Sequence, residues 1–222
     1  MTLNITVVTD QGIYQSADMR MFDSTIGRLS DECEHVTPQI IRCRTWHATI
    51  CFAGVGRTHD VAVGPWLAEQ LRSIEPNQRL PALIDRLLGA DSWLSGVAMD
   101  RSALTFTVGA FVEERPVYLL VTNQEDLSRE RSDPPARRLS VFEARPTSAR
   151  TYVSGRKSAI FREMRWRLRC AGKGAEGIDG VFTALVKANA AAARRIRTVS
   201  PMCFTSYISS AGDVSKVVPG EA

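Results

Sequence analysis

Residues 1–20, MTLNITVVTDQGIYQSADMR, decide how the rest of the chain is read. Leu3, Ile5 and Val7 alternate as the apolar positions of a half-buried strand, Asp10-Gln11-Gly12 supplies a tight turn, and a second strand carries Asp18 and Arg20. Removal of Met1 leaves Thr2 as the first residue of this hairpin. A threonine hydroxyl is a weak nucleophile, but an α-amine on the same residue, with a pKa of about 7.7 to 8.0, can accept its proton near neutral pH. The plainer reading is an ordinary first hairpin with an exposed Thr2.

The 222 residues suffice for one large domain with its own core, and 44% apolar with 23% charged residues is the composition of a globular chain. No apolar run approaches the roughly 18 residues of a spanning helix, and the first twenty residues lack a basic start followed by an unbroken apolar stretch. The expectation is a cytoplasmic protein with no membrane partner. Five scattered cysteines form no C-x-x-C pair, and His35, His47 and His59 lie too far apart to grip a metal from one helix face, so neither a disulfide framework nor a metal site is expected. The net charge of +4 comes from arginine, since the four lysines are Lys157, Lys173, Lys187 and Lys216. Arginines at 162, 165, 167 and 169 and at 194, 195 and 197 have helical spacing and no recognition motif, which argues for a solvated or subunit-facing surface and against nucleic acid.

Outward from the hairpin, residues 23–38 read as a polar loop or strand edge, and 39–53 as two β-branched strands around a turn near 44–46. The second strand is expected to end at Ala53-Gly54-Val55-Gly56, with a helix close behind it. Helices are predicted over 58–73, with Gly64-Pro65 at the start or a kink, and over 81–88, opened by Pro81. Strands follow over 102–122 with a connection at 113–116, then a mobile loop over 124–139, and short strands at 140–144 and 151–153. Ser154-Gly155 is expected to start a helix with arginines outward. A long helix over 178–197 carries Ile178, Val181, Phe182, Leu185 and Val186 on one face, and strands at 202–208 and 214–218 close the chain. Strand runs separated by helix pairs suit an α+β, four-layer αββα sandwich of two antiparallel sheets between helix layers, formed by residues 1–222 as a single domain.

With this element order in place, the chain resembles a proteasome β-type subunit of the N-terminal nucleophile (Ntn) hydrolase fold. Thr2 falls where that family has its N-terminal threonine, and Asp18, in Ser16-Ala17-Asp18-Met19-Arg20, has the family's spacing from it. Residues 51–56, CFAGVG, resemble the strand-end segment whose backbone N–H forms the oxyanion hole, here assigned to Gly54. Ser154 matches the serine that supports the terminal amine, Ser200 matches the family's catalytic-site serine after the long helix, and Met21, Phe22 and Gly56 lie where the family begins its substrate pocket. The resemblance implies a peptide substrate, no cofactor, and a homo-oligomeric ring or stacked assembly, leaving any ATPase partner undefined.

Two positions depart from the family pattern. Its active members carry a lysine before the glycine segment, where this chain has Gln39-Ile40-Ile41-Arg42, and no lysine precedes residue 157. The family also has an aspartate three residues before the serine matched by Ser200, and this chain has Arg197. A guanidinium with a pKa above about 12 can supply charge from Arg42 or Arg44 but cannot shuttle a proton. The two functional expectations are therefore a threonine-type hydrolase with incomplete machinery, dependent on loss of Met1, and an inactive scaffold that self-assembles or binds a partner. Ser154-Gly155-Arg156-Lys157 also fits S-x-x-K, but its companion motifs are missing and a helix N-cap explains Ser154.

Overall fold

The computed structural model describes residues 3–25, 27–30, 38–98, 102–124, 135–155, 160, 162–173, 177–212 and 215–220. The opening hairpin is β1 (Leu3–Val8) and β2 (Gly12–Asp18), paired antiparallel with Ile5 opposite Ser16. Thr9 closes its turn: the Oγ1 hydroxyl accepts the Gly12 N–H at 2.8 Å and donates to the Gly12 carbonyl at 2.7 Å. Such side-chain bonds within a turn satisfy backbone groups that the ladder leaves open.

From β2 the chain crosses into a second sheet as β3 (Met21–Asp23) and β4 (Arg28–Ser30). Then come β5 (Gln39–Arg42), β6 (Trp46–Arg57), α1 (Val63–Arg72), α2 (Leu80–Leu88) and a short α3 (Asp91–Leu94). The strands β7 (Leu104–Val112), β8 (Arg115–Thr122), β9 (Ser140–Ala144) and β10 (Arg150–Gly155) follow, then α4 (Arg162–Lys173), α5 (Gly177–Ala193), β11 (Cys203–Ser209) and β12 (Ser215–Gly220). One sheet has the order β10-β1-β2-β11-β12. The other runs β4-β3-β6-β7-β8-β9, with β5 also pairing β6. Among the described strands every pair is antiparallel except β3 with β6, which is parallel.

The layers follow from side-chain alternation. Leu3, Ile5 and Val7 point one way and pack with Leu168, Val181 and Leu185 of α4 and α5. On the opposite side of the molecule, Leu67 and Leu71 of α1 and Leu83 and Leu87 of α2 cover Ile50, Phe52 and Phe106 of the larger sheet. Each such fully buried aliphatic side chain contributes about 1.5 to 3 kcal/mol relative to exposure. Between the sheets, Val8, Ile13, Phe111, Tyr118 and Ile208 form a third, smaller cluster, and Tyr118 stacks on Tyr152 with centroids 3.9 Å apart. The arrangement is the expected α+β sandwich of two sheets between helix layers.

Several boundaries differ from the sequence reading. Strand β6 does not stop at the glycines: it runs through them to Arg57, and α1 begins at Val63. The reason is pairing, since Gly54 lies opposite Leu104, and Phe22 and Asp23 continue the ladder on the other edge. Ser154-Gly155 is the end of β10, held against β1, and α4 is described from Arg162, while residues 156–159, where the expected helix would start, lie outside the described residues. The β7–β8 connection is Glu113-Glu114 alone, with φ of 49° and 64°, the left-handed pair that matches strand twist in a two-residue hairpin. Helix α5 stops at Ala193, short of Arg197, and α3 was not expected. Most of the loop over 124–139 lies outside the described residues.

Candidate functional site

Strand β1 brings its own first residues, the ends of β2, β6 and β10, and the entry to β11 to one end of the sandwich. Thr2, the expected nucleophile and base, lies outside the described residues. Its neighbour Leu3 does not: the Leu3 N–H donates to Asp18 Oδ2 at 2.6 Å. The other carboxylate oxygen accepts the Arg20 N–H at 2.8 Å, which turns the chain out of β2 and toward β3. Asp18 is fully buried. Burial pushes its carboxyl from the ordinary 3.8 up to about 7, against the two backbone N–H donors and the nearby Arg20 guanidinium, which pull it down.

Ser154 sits directly opposite Asn4 in the β1–β10 ladder, and Gly155, at φ 76°, lies opposite Leu3. The Ser154 Oγ is buried and makes no hydrogen bond among the described residues. Ser200 lies before β11, where its Oγ accepts the Met202 N–H at 3.2 Å. The Met202 carbonyl in turn accepts the Met19 N–H at 3.3 Å, so the Ser200 segment is tied to the residue after Asp18. Asn189, a buried residue of α5 that the sequence reading missed, fixes this segment from the helix side by donating to the Ser200 carbonyl at 2.7 Å.

Gly54 takes φ 107°, and a Cβ there would fall 2.0 Å from the Ala103 carbonyl oxygen. That carbonyl accepts the Val55 N–H at 2.8 Å, so this close approach is part of how β6 leaves the β7 ladder. The sequence reading took this glycine as the end of the strand, whereas its unusual backbone lies within β6. Met21 is buried with its side chain over Gly56, where a Cβ would meet Met21 Sδ at 2.3 Å. Phe22 is half-buried and pairs with Val55. Met21 thus fills the space beside the glycine segment, and Phe22 stands at its edge.

The cations proposed as substitutes for the missing lysine are elsewhere. Arg42 and Arg44 are exposed, and Arg42 pairs with His47 at the start of β6. At about 3.4 Å per residue, Arg42 is roughly 23 Å from Gly54 along the strand. Arg197 is exposed too, and its carbonyl accepts a bond from the Arg20 guanidinium.

A further feature went unread in the sequence. On the inter-sheet side of β1 and β2, Asn4, Thr6 and Gln15 meet Thr49 and Thr107 of the larger sheet, all fully buried. Gln15 Nε2 donates to the Thr107 carbonyl at 3.0 Å and to its Oγ1 at 3.1 Å, and Thr49 Oγ1 donates to Gln15 Oε1 at 3.1 Å. Thr49 and Ser206 share a 2.6 Å bond. The inter-sheet space is therefore polar toward the Asp18 end and apolar toward Val8 and Ile13. The available signal was parity: Asn4 and Thr6 alternate with the apolar residues Leu3, Ile5 and Val7 of β1.

Among the described residues, no three His, Cys, Asp or Glu side chains converge as a metal site, and no helix is long and apolar enough to cross a membrane.

Neither protein-family models nor curated proteins match this chain. Solved structures do. Anbu (ancestral beta-subunit) from Yersinia bercovieri superposes with a TM-score of 0.65 at 11% identity, over 97% of this chain and 86% of that one. Anbu from Hyphomicrobium sp. strain MC1 gives 0.62 at 12% identity, over 99% and 88%. The helical assembly of the Anbu complex from Pseudomonas aeruginosa gives 0.61 at 10% identity, over 99% and 86%. The identification as a member of the proteasome β-type subunit family is thereby corrected: no family model supports it at the level of sequence, and likeness at 10 to 12% identity is likeness of fold. What the neighbours show is the fold: this chain is built like the Anbu structures, as the α+β sandwich of two sheets between helix layers.

Proposed function

We propose that residues 1–222 act as one domain that hydrolyses peptide or amide bonds through an N-terminal threonine exposed by loss of Met1. The observation that carries this reading is the buried Asp18 carboxylate bonded to the Leu3 N–H, the amide that immediately follows Thr2. In the proposed step the Thr2 amine takes the hydroxyl proton as Oγ1 attacks the carbonyl carbon. Asp18 orients the terminus and stabilises the ammonium that forms, the Gly54 N–H meets the developing oxyanion, and the ammonium gives its proton to the leaving nitrogen as the C–N bond breaks; water, deprotonated by the freed amine, then cleaves the resulting Thr2 ester and restores the hydroxyl. Ser154 and Ser200 are positioning residues in this scheme, and the unbonded Ser154 Oγ is available to the terminus. Phe22, Met21 and Gly56 border the substrate side. Carboxylate support for the ammonium weakens as the pH falls below about 7, where Asp18 gains its proton.

The missing lysine and the exposed positions of Arg42, Arg44 and Arg197 favour a second reading, a catalytically silent scaffold. Self-assembly belongs to both readings. It is supported by the helical assembly of the structurally similar Anbu complex and by Trp166, 58% exposed on the arginine-rich α4.

Intact mass spectrometry separates the two. The purified protein is incubated with an epoxyketone, whose ring closure needs both a free α-amine and a hydroxyl on the first residue. Hydrolase chemistry predicts a chain lacking Met1 that gains one adduct, and no adduct in Thr2→Ala. A chain that keeps Met1 and remains unmodified refutes the hydrolase and leaves the scaffold.

A further inference from the structure

The turn that carries Ser200 is laced at two points to the strand end that carries Asp18. The Met202 carbonyl accepts the Met19 N–H at 3.3 Å, and the Arg197 carbonyl accepts a bond from the Arg20 guanidinium. Met19 and Arg20 are the two residues that follow Asp18. From the helix side the same turn is held by Asn189 of α5, a wholly buried residue. Its Nδ2 faces three successive carbonyls, those of Ser200 at 2.7 Å, Pro201 at 3.2 Å and Met202 at 3.4 Å. An amide nitrogen carries two protons, so the two longer contacts share one. Within the turn, Ser200 Oγ accepts the Met202 N–H at 3.2 Å, so the place of the hydroxyl oxygen follows the curvature of this backbone.

Stability alone does not call for an amide at this position. Asparagine is a poorer helix former than the alanines on either side of it, Ala188 and Ala190. Asn189 Oδ1 is buried and has no hydrogen-bond partner among the described residues. An acceptor left that way carries a desolvation cost that a leucine of similar volume would not. Pairing the buried Ser200 carbonyl requires only the shortest of the three contacts. What the full set supplies is geometry: three carbonyl dipoles, which repel one another when turned to the same side, converge on one donor. The Met202 carbonyl that completes the set is also the one that holds Met19.

We propose that Asn189 is a positioning residue for the reaction at Thr2, holding the turn over residues 197–202 so that Ser200 and Asp18 keep one geometry relative to each other. The proposal rests on the hydrolase reading. Asn189 touches no reacting atom in it; the amide acts through the backbone of Ser200 and, by way of Met202 and Met19, on the end of β2.

Inactivation of the full-length protein by the epoxyketone, followed by intact mass over a range of reagent concentrations, separates reagent binding (KI) from the chemical step (kinact). Asn189→Leu keeps the packing volume and removes the donor. It should lower kinact about tenfold or more and leave KI within about twofold, since displacing a reacting constellation by about 1 Å costs on the order of 10²-fold in rate. Leu87→Ala, in the fully buried core of α2 in the other helix layer, is the control for lost stability. It should lower the urea midpoint more than Asn189→Leu does, yet change kinact less than about twofold. If Asn189→Leu does not fold, Asn189→Ala reads the same loss of kinact. A parent chain that forms no adduct refutes the hydrolase and this proposal with it. A parent that reacts while Asn189→Leu keeps its kinact, or changes KI alone, overturns this proposal and leaves the hydrolase standing. Equal slowing by Leu87→Ala overturns it too, because the loss would then follow stability and not the turn.

Discussion

Replacing Gly54 by alanine tests whether the backbone at the glycine segment is held as described. Two costs add at this position. The first is conformational: φ 107° lies where an L side chain strains against its own backbone, at about 1 to 2 kcal/mol or more. The second is steric. The new Cβ would lie 2.0 Å from the Ala103 carbonyl oxygen and 2.8 Å from its carbon, and relief requires moving backbone that accepts the Val55 N–H. Overpacking of this kind costs about 1 to 3 kcal/mol, and loss of the hydrogen bond adds about 1. Gly54→Ala should therefore lose about 3 to 6 kcal/mol, a large part of the roughly 5 to 15 kcal/mol that holds a domain together. Two other glycines separate the contributions. Gly177 has φ 66° but open space around its Cβ position, so Gly177→Ala should lose only the conformational part, about 1 to 2 kcal/mol. Gly96 has neither a left-handed φ nor a contact closer than 3.5 Å, so Gly96→Ala should be neutral or slightly stabilising. Urea unfolding followed by far-ultraviolet circular dichroism measures all three. A Gly54→Ala loss no larger than that of Gly177→Ala would refute the reasoning.

The buried Asp18 and the inter-sheet network give two further expectations. Because its folded-state value is raised from 3.8 to about 7, Asp18 binds more protons folded than unfolded, so its contribution makes stability fall as pH rises from about 4 to about 7. The full effect is on the order of 4 kcal/mol, and urea midpoints of the parent and Asp18→Asn across that window should converge or cross as pH increases; parallel profiles would show that Asp18 does not titrate there. Gln15→Met keeps the side-chain volume but strips partners from Thr49 and Thr107, and should cost about 2 to 4 kcal/mol in the same assay. A loss below about 0.5 kcal/mol would mean that the network contributes little.

Much of the fold was legible in the sequence because its signals are local. The alternation of Leu3, Ile5 and Val7, the helical spacing of Val181, Phe182 and Leu185, and Pro81 at a helix start all depend on neighbours within a turn or a strand. The misread boundaries are those set by distant partners. Ser154 looked like a helix cap, yet the ladder with β1 holds it in a strand, and Gly54 looked like a strand end, yet β3 and β7 on either side carry β6 past it. Hydrogen bonds to a strand more than a hundred residues away leave no mark in a local pattern.

The candidate site divides in the same way. Sequence by itself determined which groups are present: a threonine after Met1, Asp18 at the end of the second strand, a glycine segment, and no lysine before residue 157. Tertiary structure decided what surrounds them. Burial raises the proton affinity of Asp18 against the lowering pull of the Leu3 and Arg20 N–H donors, and the Gly54 backbone is shaped by its contact with Ala103. Arg20 and the Arg197 carbonyl, 177 positions apart in the chain, meet through a hydrogen bond. The physical reason is that proton affinity, strain and bonds between distant residues depend on dielectric surroundings and distances in space, and these exist only once the sheets and helices have packed.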